Sequence, residues 1–296
     1  MPSAAVISSR AALHGARRLA QLGDVRVAYH DEGSGPAVLL LHGCPFASFV
    51  WRRLIPQLAP THRCIAPDLL GLGDTETPPG ADWSLSAQAD TLIQLLDFLG
   101  TERAHVLGHD HGGAIAQVLA ARHPARVDRL VLTDAEAYDN WPSAKERPFV
   151  RITQLPLVGD LVLWLRSRRV VLRATLVRAK AVHDARALSP EFIDLLVRAN
   201  LSDRRRRAKT KRFLAGQFEP CNNRVTMDII DGLRRFDHPT LLIWAKNDAD
   251  FGPEWGERLR REIPGAQRLE ILPATGHLLM EERPEKFAAL VRDFLA

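Results

Sequence analysis

The sequence predicts an α/β fold, with a mostly parallel, doubly wound sheet and a helical cap inserted between two of its strands. Three observations support this prediction. Short apolar runs alternate with amphipathic segments, a tight glycine-rich turn around Asp110 joins a strand to a helix, and strand patterns are missing between residues 138 and 223. With 296 residues, of which 46% are hydrophobic, the chain is long enough for one large core and such an insertion.

The elements of the first half follow from apolar runs and their periodicity. The run at 37–41 is nearly continuous, as in a parallel strand that is buried on both faces. Ser84 is a suitable N-cap for a helix whose apolar stripe includes Leu92, Leu95 and Leu99. In chain order, the predicted elements are a strand at 25–30, a strand at 37–41, a helix at about 49–58, a strand at 63–66, a helix at 84–99, a strand at 104–107, a helix at 114–122 and a strand at 129–133.

In the second half of the chain, the alternation of strand and helix patterns stops at about residue 138. Long Leu-, Val- and Arg-rich segments at 138–223 predict several helices, which we interpret as a cap, with 1–137 and 224–296 forming the core. The sheet then resumes. The predicted elements are a strand at 240–244, a helix at about 254–262, a strand at 268–272 and a last helix at 284–295.

The formal charge of +5 is concentrated in one segment, since residues 204–212 contain seven basic residues. A patch that binds anions or a membrane surface would suit such a run. No aromatic residues are interleaved in it and no nucleic-acid motif accompanies it. We therefore predict a solvated helix face or turn.

The cysteines and the N-terminus indicate the compartment. Cys44, Cys64 and Cys221 are odd in number and lack metal-ligand spacing, which fits a reducing environment. The apolar stretch at 155–165 is interrupted by an aspartate and is too short to span a membrane. The first 23 residues lack acids and look like a transit peptide, but we interpret them as a lead-in to the first strand. We predict a soluble, cytoplasmic protein.

Asp110 is the residue that points to a chemistry. Gly108 and Gly112 stand two positions before and after it, between a predicted strand and a predicted helix, as in a nucleophile elbow. The glycines are expected because strand and helix backbones nearly touch at such a turn. An aspartate has an ordinary pKa of about 4, so it is ionised at neutral pH and needs no base before it attacks. It suits in-line attack on an sp3 carbon, which leaves an alkyl ester on the enzyme. The alternative is an ordinary glycine-flanked loop.

Four separated motifs occur in an order that resembles the α/β-hydrolase superfamily. They are His42-Gly-Cys-Pro45, the loop at 68–73, the elbow at Asp110 and Thr275-Gly-His277. The resemblance covers nearly the whole chain outside the cap. An aspartate at the elbow resembles the branch that contains haloalkane dehalogenases, fluoroacetate-type dehalogenases and epoxide hydrolases, and residues 51–73 are similar to the haloalkane dehalogenases in particular.

The resemblance implies a role for each motif. Asp110 attacks carbon and is alkylated, and His277 then activates a water that attacks the carbonyl of the ester. The backbone N–H groups of Cys44 and His111 are the implied oxyanion donors. The thiol of Cys44 is expected to be a spectator.

A third residue should hold the tautomer of His277, and two carboxylates compete for that role. Asp248 follows the strand at 240–244, where most of the superfamily places its acid. Asp134 follows the preceding strand, where some dehalogenases place theirs. We favour Asp248 and leave Asp134 as the alternative.

The leaving group is where the chain departs from the family patterns. Epoxide hydrolases typically use two cap tyrosines, but this chain has only Tyr29, before the sheet core, and Tyr138, at the edge of the cap. Haloalkane dehalogenases usually have Trp after the nucleophile and Asn in the His-Gly-x-Pro turn, where this chain has His111 and Cys44. Fluoroacetate-type enzymes need arginines beside the nucleophile, which are missing here.

A halide leaves without a proton and needs only donors around it. The candidates for this contact are Trp141, Trp164, His111 and His183, whereas Tyr138 is a candidate acid for the oxygen of an epoxide. We therefore predict a hydrolase that acts through an Asp110 alkyl ester, with carbon–halogen cleavage ahead of epoxide opening. A non-hydrolytic lyase, oxygenase or receptor on the same scaffold is a further alternative. We expect a small-molecule substrate and water as partners, no cofactor, metal, nucleic acid or membrane, and we leave a homodimer open.

Overall fold

The computed structural model describes residues 17–142 and 146–296, with only the backbone described at 220–223. Its centre is an eight-stranded sheet. The strands are β1 (Arg17–Leu22), β2 (Val25–Glu32), β3 (Ala37–Leu41), β4 (Arg63–Pro67), β5 (Ala104–Asp110), β6 (Val127–Ala135), β7 (Thr240–Ala245) and β8 (Arg268–Leu272).

The strand order across the sheet is β1-β2-β4-β3-β5-β6-β7-β8. The pairs β1–β2 and β2–β4 are antiparallel, and the other neighbouring pairs are parallel. The predicted α/β class is confirmed. Because β3, β5, β6 and β7 run in one direction, the segments that follow them meet at the same edge of the sheet, where open α/β sheets bind ligands.

Helices cover both faces of this sheet. In chain order, the helices are α1 (Ile55–Leu58), α2 (Leu85–Phe98), α3 (His111–Arg122), α4 (Arg147–Gln154), α5 (Val158–Arg166), α6 (Arg169–Arg178), α7 (Pro190–Asn200), α8 (Arg204–Gly216), α9 (Pro220–Asp228), α10 (Ile230–Leu233), α11 (Pro253–Glu262), α12 (Leu279–Glu282) and α13 (Pro284–Leu295). Short 3-10 turns lie at Ser48–Trp51, Pro124–Arg126 and Ala185–Ala187.

Apolar side chains on the two faces of the sheet form two cores. In β3, Leu39 and Leu41 pack into one core, whereas Val38 and Leu40 pack into the other. This alternation follows from the two-residue period of a strand. It explains why β3 reads as a continuous apolar run in the sequence.

Two predicted elements are corrected by the structure. Residues 17–22, which we took as part of the lead-in, form β1, an edge strand with only Ala20 buried, so the strand lacks an apolar alternation. The helix predicted at about 49–58 is divided into a 3-10 turn and the one-turn helix α1. Pro56 is accepted in the first turn of α1 but would break a continuous helix. The rest of the proposed lead-in, residues 1–16, lies outside the described residues.

Helices α4 to α8 form a helical layer between β6 and β7, as the sequence predicts. The layer packs on the core through Phe192 of α7, whose ring lies 6.2 Å from that of Phe46 and 5.7 Å from that of Phe49. The predicted cap boundary at residue 223 falls inside α9, which packs against the core helices α2 and α3.

Among the described residues, no single helix is long and apolar enough to cross a membrane. Helices α4 and α5 meet that criterion only when they are taken together, and the chain bends by 117° between them.

The basic run lies at the start of α8 and is only partly a solvated face. Lys209 donates from Nζ to the carbonyl oxygen of Gly73 at 2.6 Å and also to those of Leu72 and Thr75. Arg206 forms an ion pair with Asp74. Burial lowers the pKa of Lys209 to about 8. These contacts attach α8 to the loop after β4, a function that the predicted solvated face did not include.

Candidate active site

Asp110 lies at the turn between β5 and α3, with φ 55° and ψ −122°. A positive φ is uncommon for a residue with a Cβ and indicates a strained turn. The turn is also tight. A Cβ on Gly112 would lie 2.3 Å from the carbonyl oxygen of Leu41, and one on Gly108 would lie 2.3 Å from that of Gly112. Glycine is therefore required at both positions, for the reason given from the sequence.

The loop after β3 binds the carboxylate of Asp110. The backbone N–H of Cys44 donates to Asp110 Oδ2 at 2.9 Å. A Cβ on Gly43 would lie 2.3 Å from the same oxygen, so only glycine allows this approach. His42 holds the loop, because its Nε2 accepts a hydrogen bond from the backbone N–H of Leu69 at 3.0 Å and its Nδ1 donates to the carbonyl oxygen of Gly43 at 2.8 Å. Burial lowers the pKa of His42, in keeping with a neutral ring.

The thiol of Cys44 is in a different situation from its backbone N–H. Burial and the negative charge of Asp110 raise the pKa of this thiol well above its ordinary value. A neutral thiol is a weak nucleophile. The raised pKa favours the neutral thiol, and the spectator role of this thiol stays a prediction.

His277 approaches Asp110 from the loop after β8. Its Nε2 lies 3.8 Å from Asp110 Oδ2, and its Nδ1 donates to Asp248 Oδ2 at 2.7 Å. Burial alone would lower the pKa of His277, but the charge of Asp248 and the contacts with both carboxylates outweigh it and raise the pKa well above its ordinary value. The placement of the ring between two carboxylates therefore favours the imidazolium form of His277.

The structure brings Asp248, rather than Asp134, into hydrogen-bond contact with His277. Asp248 Oδ1 accepts from the backbone N–H groups of Asp250 and Phe251, which aims Oδ2 at the ring. Asp134 is also close but instead accepts the backbone N–H of Ala245 at 2.8 Å.

Burial and the charge of Asp248 raise the pKa of Asp134 well above its ordinary value. A neutral carboxylic acid does not compensate the charge of an imidazolium. The three ligand-type atoms of Asp134, Asp248 and His277 lie within 4.8 Å of one another. Two of these three groups, Asp248 and His277, are already joined by a hydrogen bond that orients the imidazole ring.

His109 supports His277 in a way that sequence reasoning missed. The two ring centroids lie 4.5 Å apart, and His109 Nδ1 donates to the carbonyl oxygen of Thr133 at 3.2 Å. Burial and the positive charge of His277 lower the pKa of His109 well below its ordinary value. The His109 ring therefore packs against the ring of His277 and restricts its orientation. The only signal in the sequence is a histidine directly before the nucleophile.

Glu136 is a second residue that sequence reasoning missed. Its Oε2 lies 3.0 Å from Nδ1 of His111, and both side chains are buried. Burial acts to lower the pKa of His111, but the charge and hydrogen bond of Glu136, together with the charge of Asp110, raise it above its ordinary value. A buried, hydrogen-bonded pair of histidine and glutamate therefore lies directly beside the nucleophile.

The predicted leaving-group residues are placed very differently. The indole N–H of Trp141 is buried and has no hydrogen-bond partner among the described residues. Its ring lies 6.0 Å from that of Phe251, which in turn lies 5.6 Å from the ring of His277. Trp141 is therefore near the site.

Three other candidates are not placed to contact a leaving group. Trp164 is 41% exposed and stacks on the guanidinium of Arg168 on the surface of the cap. Tyr138 is buried between Trp255 and the guanidinium of Arg258 on α11, and its pKa is raised to about 12 by burial. His183 is exposed and lines a surface groove. Their positions in the sequence gave no indication of where the side chains point.

Comparison with known proteins places this geometry in context. The model of the alpha/beta hydrolase fold family matches residues 36–284. The chain is 32% identical over 271 residues to Haloalkane dehalogenase 2 of Mycobacterium tuberculosis H37Rv. This alignment covers 90% of each protein. It is 31% identical over 282 residues to the cis-3-alkyl-4-alkyloxetan-2-one decarboxylase of Shewanella oneidensis. That alignment covers 90% of this chain and 84% of the relative.

A crystal structure of a putative ancestral haloalkane dehalogenase superposes with a TM-score of 0.76 at 29% identity. The superposition covers 94% of this chain and 97% of the other. The similarity therefore extends through both the sheet and the helices between β6 and β7.

Proposed function

The chain belongs to the α/β-hydrolase fold family and is a hydrolase of that family, and on this premise we propose that it cleaves carbon–halogen bonds through an alkyl ester of Asp110. One observation carries the proposal. A carboxylate, and not a hydroxyl, occupies the elbow, with Oδ2 held by the N–H of Cys44 and His277 Nε2 at 3.8 Å.

The first step needs no base. Since Oδ2 is held by Cys44, Asp110 attacks with Oδ1 at the sp3 carbon, in line with the leaving group. The carbon–halogen bond breaks and both of its electrons go to the halide. The buried indole N–H of Trp141, which has no hydrogen-bond partner among the described residues, is the donor that we assign to this anion. The similarity to haloalkane dehalogenases supports a halide as the leaving group.

The second step depends on the change in charge that the first step makes. An alkylated Asp110 is neutral, so one of the two attractions that raise the pKa of His277 is lost. The ring can then lose its proton and take another from a water molecule, which attacks the ester carbonyl. The backbone N–H groups of Cys44 and His111 stabilise the resulting oxyanion, and Asp248 stabilises the imidazolium.

Intact-protein mass spectrometry tests this mechanism. His277→Ala removes the base needed for hydrolysis but not for attack, so brief exposure to 1-bromobutane should leave a butyl adduct on the peptide that contains Asp110. Asp110→Asn is the matched control, since asparagine tolerates positive φ and should remain unlabelled. Turnover that persists in Asp110→Asn, or a His277→Ala protein that stays unlabelled, would refute the alkyl-ester mechanism.

A further inference from the structure

The steps proposed for halide release do not use the side chains of His111 and Glu136. His111 directly follows the nucleophile at the start of α3, and Nδ1 donates to Glu136 Oε2 at 3.0 Å. The pair is 1% and 2% exposed. Glu136 is itself tied to the elbow, because its backbone N–H donates to the carbonyl oxygen of Asp110 at 3.2 Å.

The charges around the ring favour the imidazolium form of His111. Two carboxylates, Glu136 and Asp110, face it from the ends of β6 and β5. The third titratable neighbour, His42, is a neutral ring because its Nε2 accepts the N–H of Leu69. Burial raises the pKa of Glu136, whereas the positive charge and the hydrogen bond of His111 act to lower it, so the carboxylate form of Glu136 depends on the imidazolium form of His111.

The second nitrogen of this ring is unused. Nε2 of His111 is buried and, among the described residues, has no hydrogen-bond partner. An edge of the ring packs against Phe213 of α8, at 5.3 Å between centroids, so the cap covers it. In the imidazolium form this nitrogen bears a proton that the described part of the protein does not accept.

We propose that His111 donates this proton to an oxygen leaving group, so that the same site also opens strained cyclic ethers such as epoxides. The proposal rests on the proposed function, because it uses the same Asp110 ester. It also answers the objection raised from the sequence, namely that no tyrosine pair is present to protonate the oxygen. A halide leaves as a stable anion and needs only an N–H donor, whereas an alkoxide needs an acid.

The carboxylate of Asp110 opens the epoxide ring. Asp110 Oδ1 forms a bond to one ring carbon, the carbon–oxygen bond breaks, and the oxygen takes its electron pair together with the proton from His111 Nε2. The product is a hydroxyalkyl ester of Asp110 beside a neutral His111. His277 then loses its proton to solvent and takes one from a water molecule, which attacks the ester carbonyl and releases a vicinal diol and the carboxylate of Asp110. Solvent returns to His111 the proton that His277 gave up, His277 keeps the proton taken from water, and the net reaction adds one water to the epoxide.

The experiment compares two substrates with the same carbon chain. Bromide release from 1-bromobutane and diol formation from 1,2-epoxybutane are measured with the wild type, His111→Gln and Glu136→Gln. His123→Gln, at the other end of α3, serves as the matched control. The amide of glutamine can donate a hydrogen bond but not a proton. His111→Gln should therefore reduce epoxide turnover by about 10²- to 10⁴-fold and reduce bromide release much less, so that the ratio of diol formation to bromide release falls.

The pH profile adds a readout that a packing defect would not produce. Epoxide kcat/KM should fall at high pH as His111 loses its proton. In Glu136→Gln this fall should move to lower pH, because the carboxylate that favours the imidazolium is gone, while bromide release should not follow it. Unchanged activity ratios in both variants, or a fall at the same pH in Glu136→Gln, would overturn the proposal.

Adducts in His277→Ala separate the two hypotheses. A butyl adduct from 1-bromobutane without a hydroxybutyl adduct from 1,2-epoxybutane overturns the acid role of His111 and leaves the proposed function intact. Adducts from both substrates, with the epoxide adduct lost in the double variant His277→Ala, His111→Gln, support both. An unlabelled Asp110 with either substrate overturns both.

Discussion

The variant Asp248→Asn tests which of the two buried acids stabilises the imidazolium of His277 during ester hydrolysis. Asp134→Asn is its matched control. In the wild type, Asp248 Oδ2 accepts from His277 Nδ1 at 2.7 Å, and the Asp248 side chain is fully buried. An amide there provides no negative charge and can present its NH2 group to Nδ1, which selects the wrong tautomer. On the analogy of such changes in other triads, ester hydrolysis should slow by about 10⁴-fold, or about 5.4 kcal/mol at 1.36 kcal/mol for each tenfold.

Asp134→Asn should have a much smaller effect, for two reasons visible in the structure. The Asp134 carboxyl group accepts from Ala245 rather than from His277, and its raised pKa favours the neutral form, which an amide resembles in charge. The amide oxygen can also continue to accept the N–H of Ala245. We expect a change below about tenfold, or 1.4 kcal/mol.

Stopped-flow release of bromide, followed by intact-protein mass spectrometry, distinguishes the steps. Asp248→Asn should still release bromide in one turnover, because alkylation needs no base, and should then accumulate the ester of Asp110. Asp134→Asn should turn over without such accumulation. A severe loss in Asp134→Asn with a mild one in Asp248→Asn would show that the electrostatic reasoning assigns the wrong acid, and mild losses in both would show that neither orients His277.

Two further outcomes follow from the charges of the structure. Because Asp110 helps to raise the pKa of His277, His277 should titrate at a lower pH in Asp110→Asn than in the wild type, as measured by NMR of the imidazole protons, and an unchanged titration would contradict the coupling. Because Lys209 donates to three carbonyl oxygens, Lys209→Met should lower the free energy of unfolding by about 1.5–3 kcal/mol. Arg205→Met on the same helix, where the side chain is 83% exposed, should change it little, and equal losses in denaturant titrations would contradict the docking role of Lys209.

The fold could be predicted from the sequence where one physical requirement acted alone. The turn at Asp110 needs glycine because backbones approach each other, and β3 needs apolar residues on both faces, so both were visible as patterns. The strand β1 was not visible, because it is an edge strand with one buried residue. Its pairing with β2 depends on backbone hydrogen bonds, which leave no side-chain pattern.

The sequence predicts which chain positions contribute to the site but not the directions in which their side chains point. Asp134 and Asp248 both follow strands that end at one edge of the sheet, and only the local turn decides which carboxylate faces His277. Tyr138 begins the cap segment but its ring turns toward α11. Glu136 was missed because its role depends on a contact with His111, which lies 25 positions earlier in the chain.

The backbone at Asp110 has a consequence for stability. A residue with a Cβ at φ 55° is strained by an amount of order 1–3 kcal/mol, and glycine would adopt the same conformation with little strain. Selection for activity therefore keeps at this position a residue that selection for stability alone would replace. We expect an Asp110→Gly protein to be inactive and to melt at a higher temperature, because glycine removes the backbone strain at this turn. The reactive carboxylate is kept where it is by the rigidity of the strand before it and the helix after it, against the preference of its own backbone.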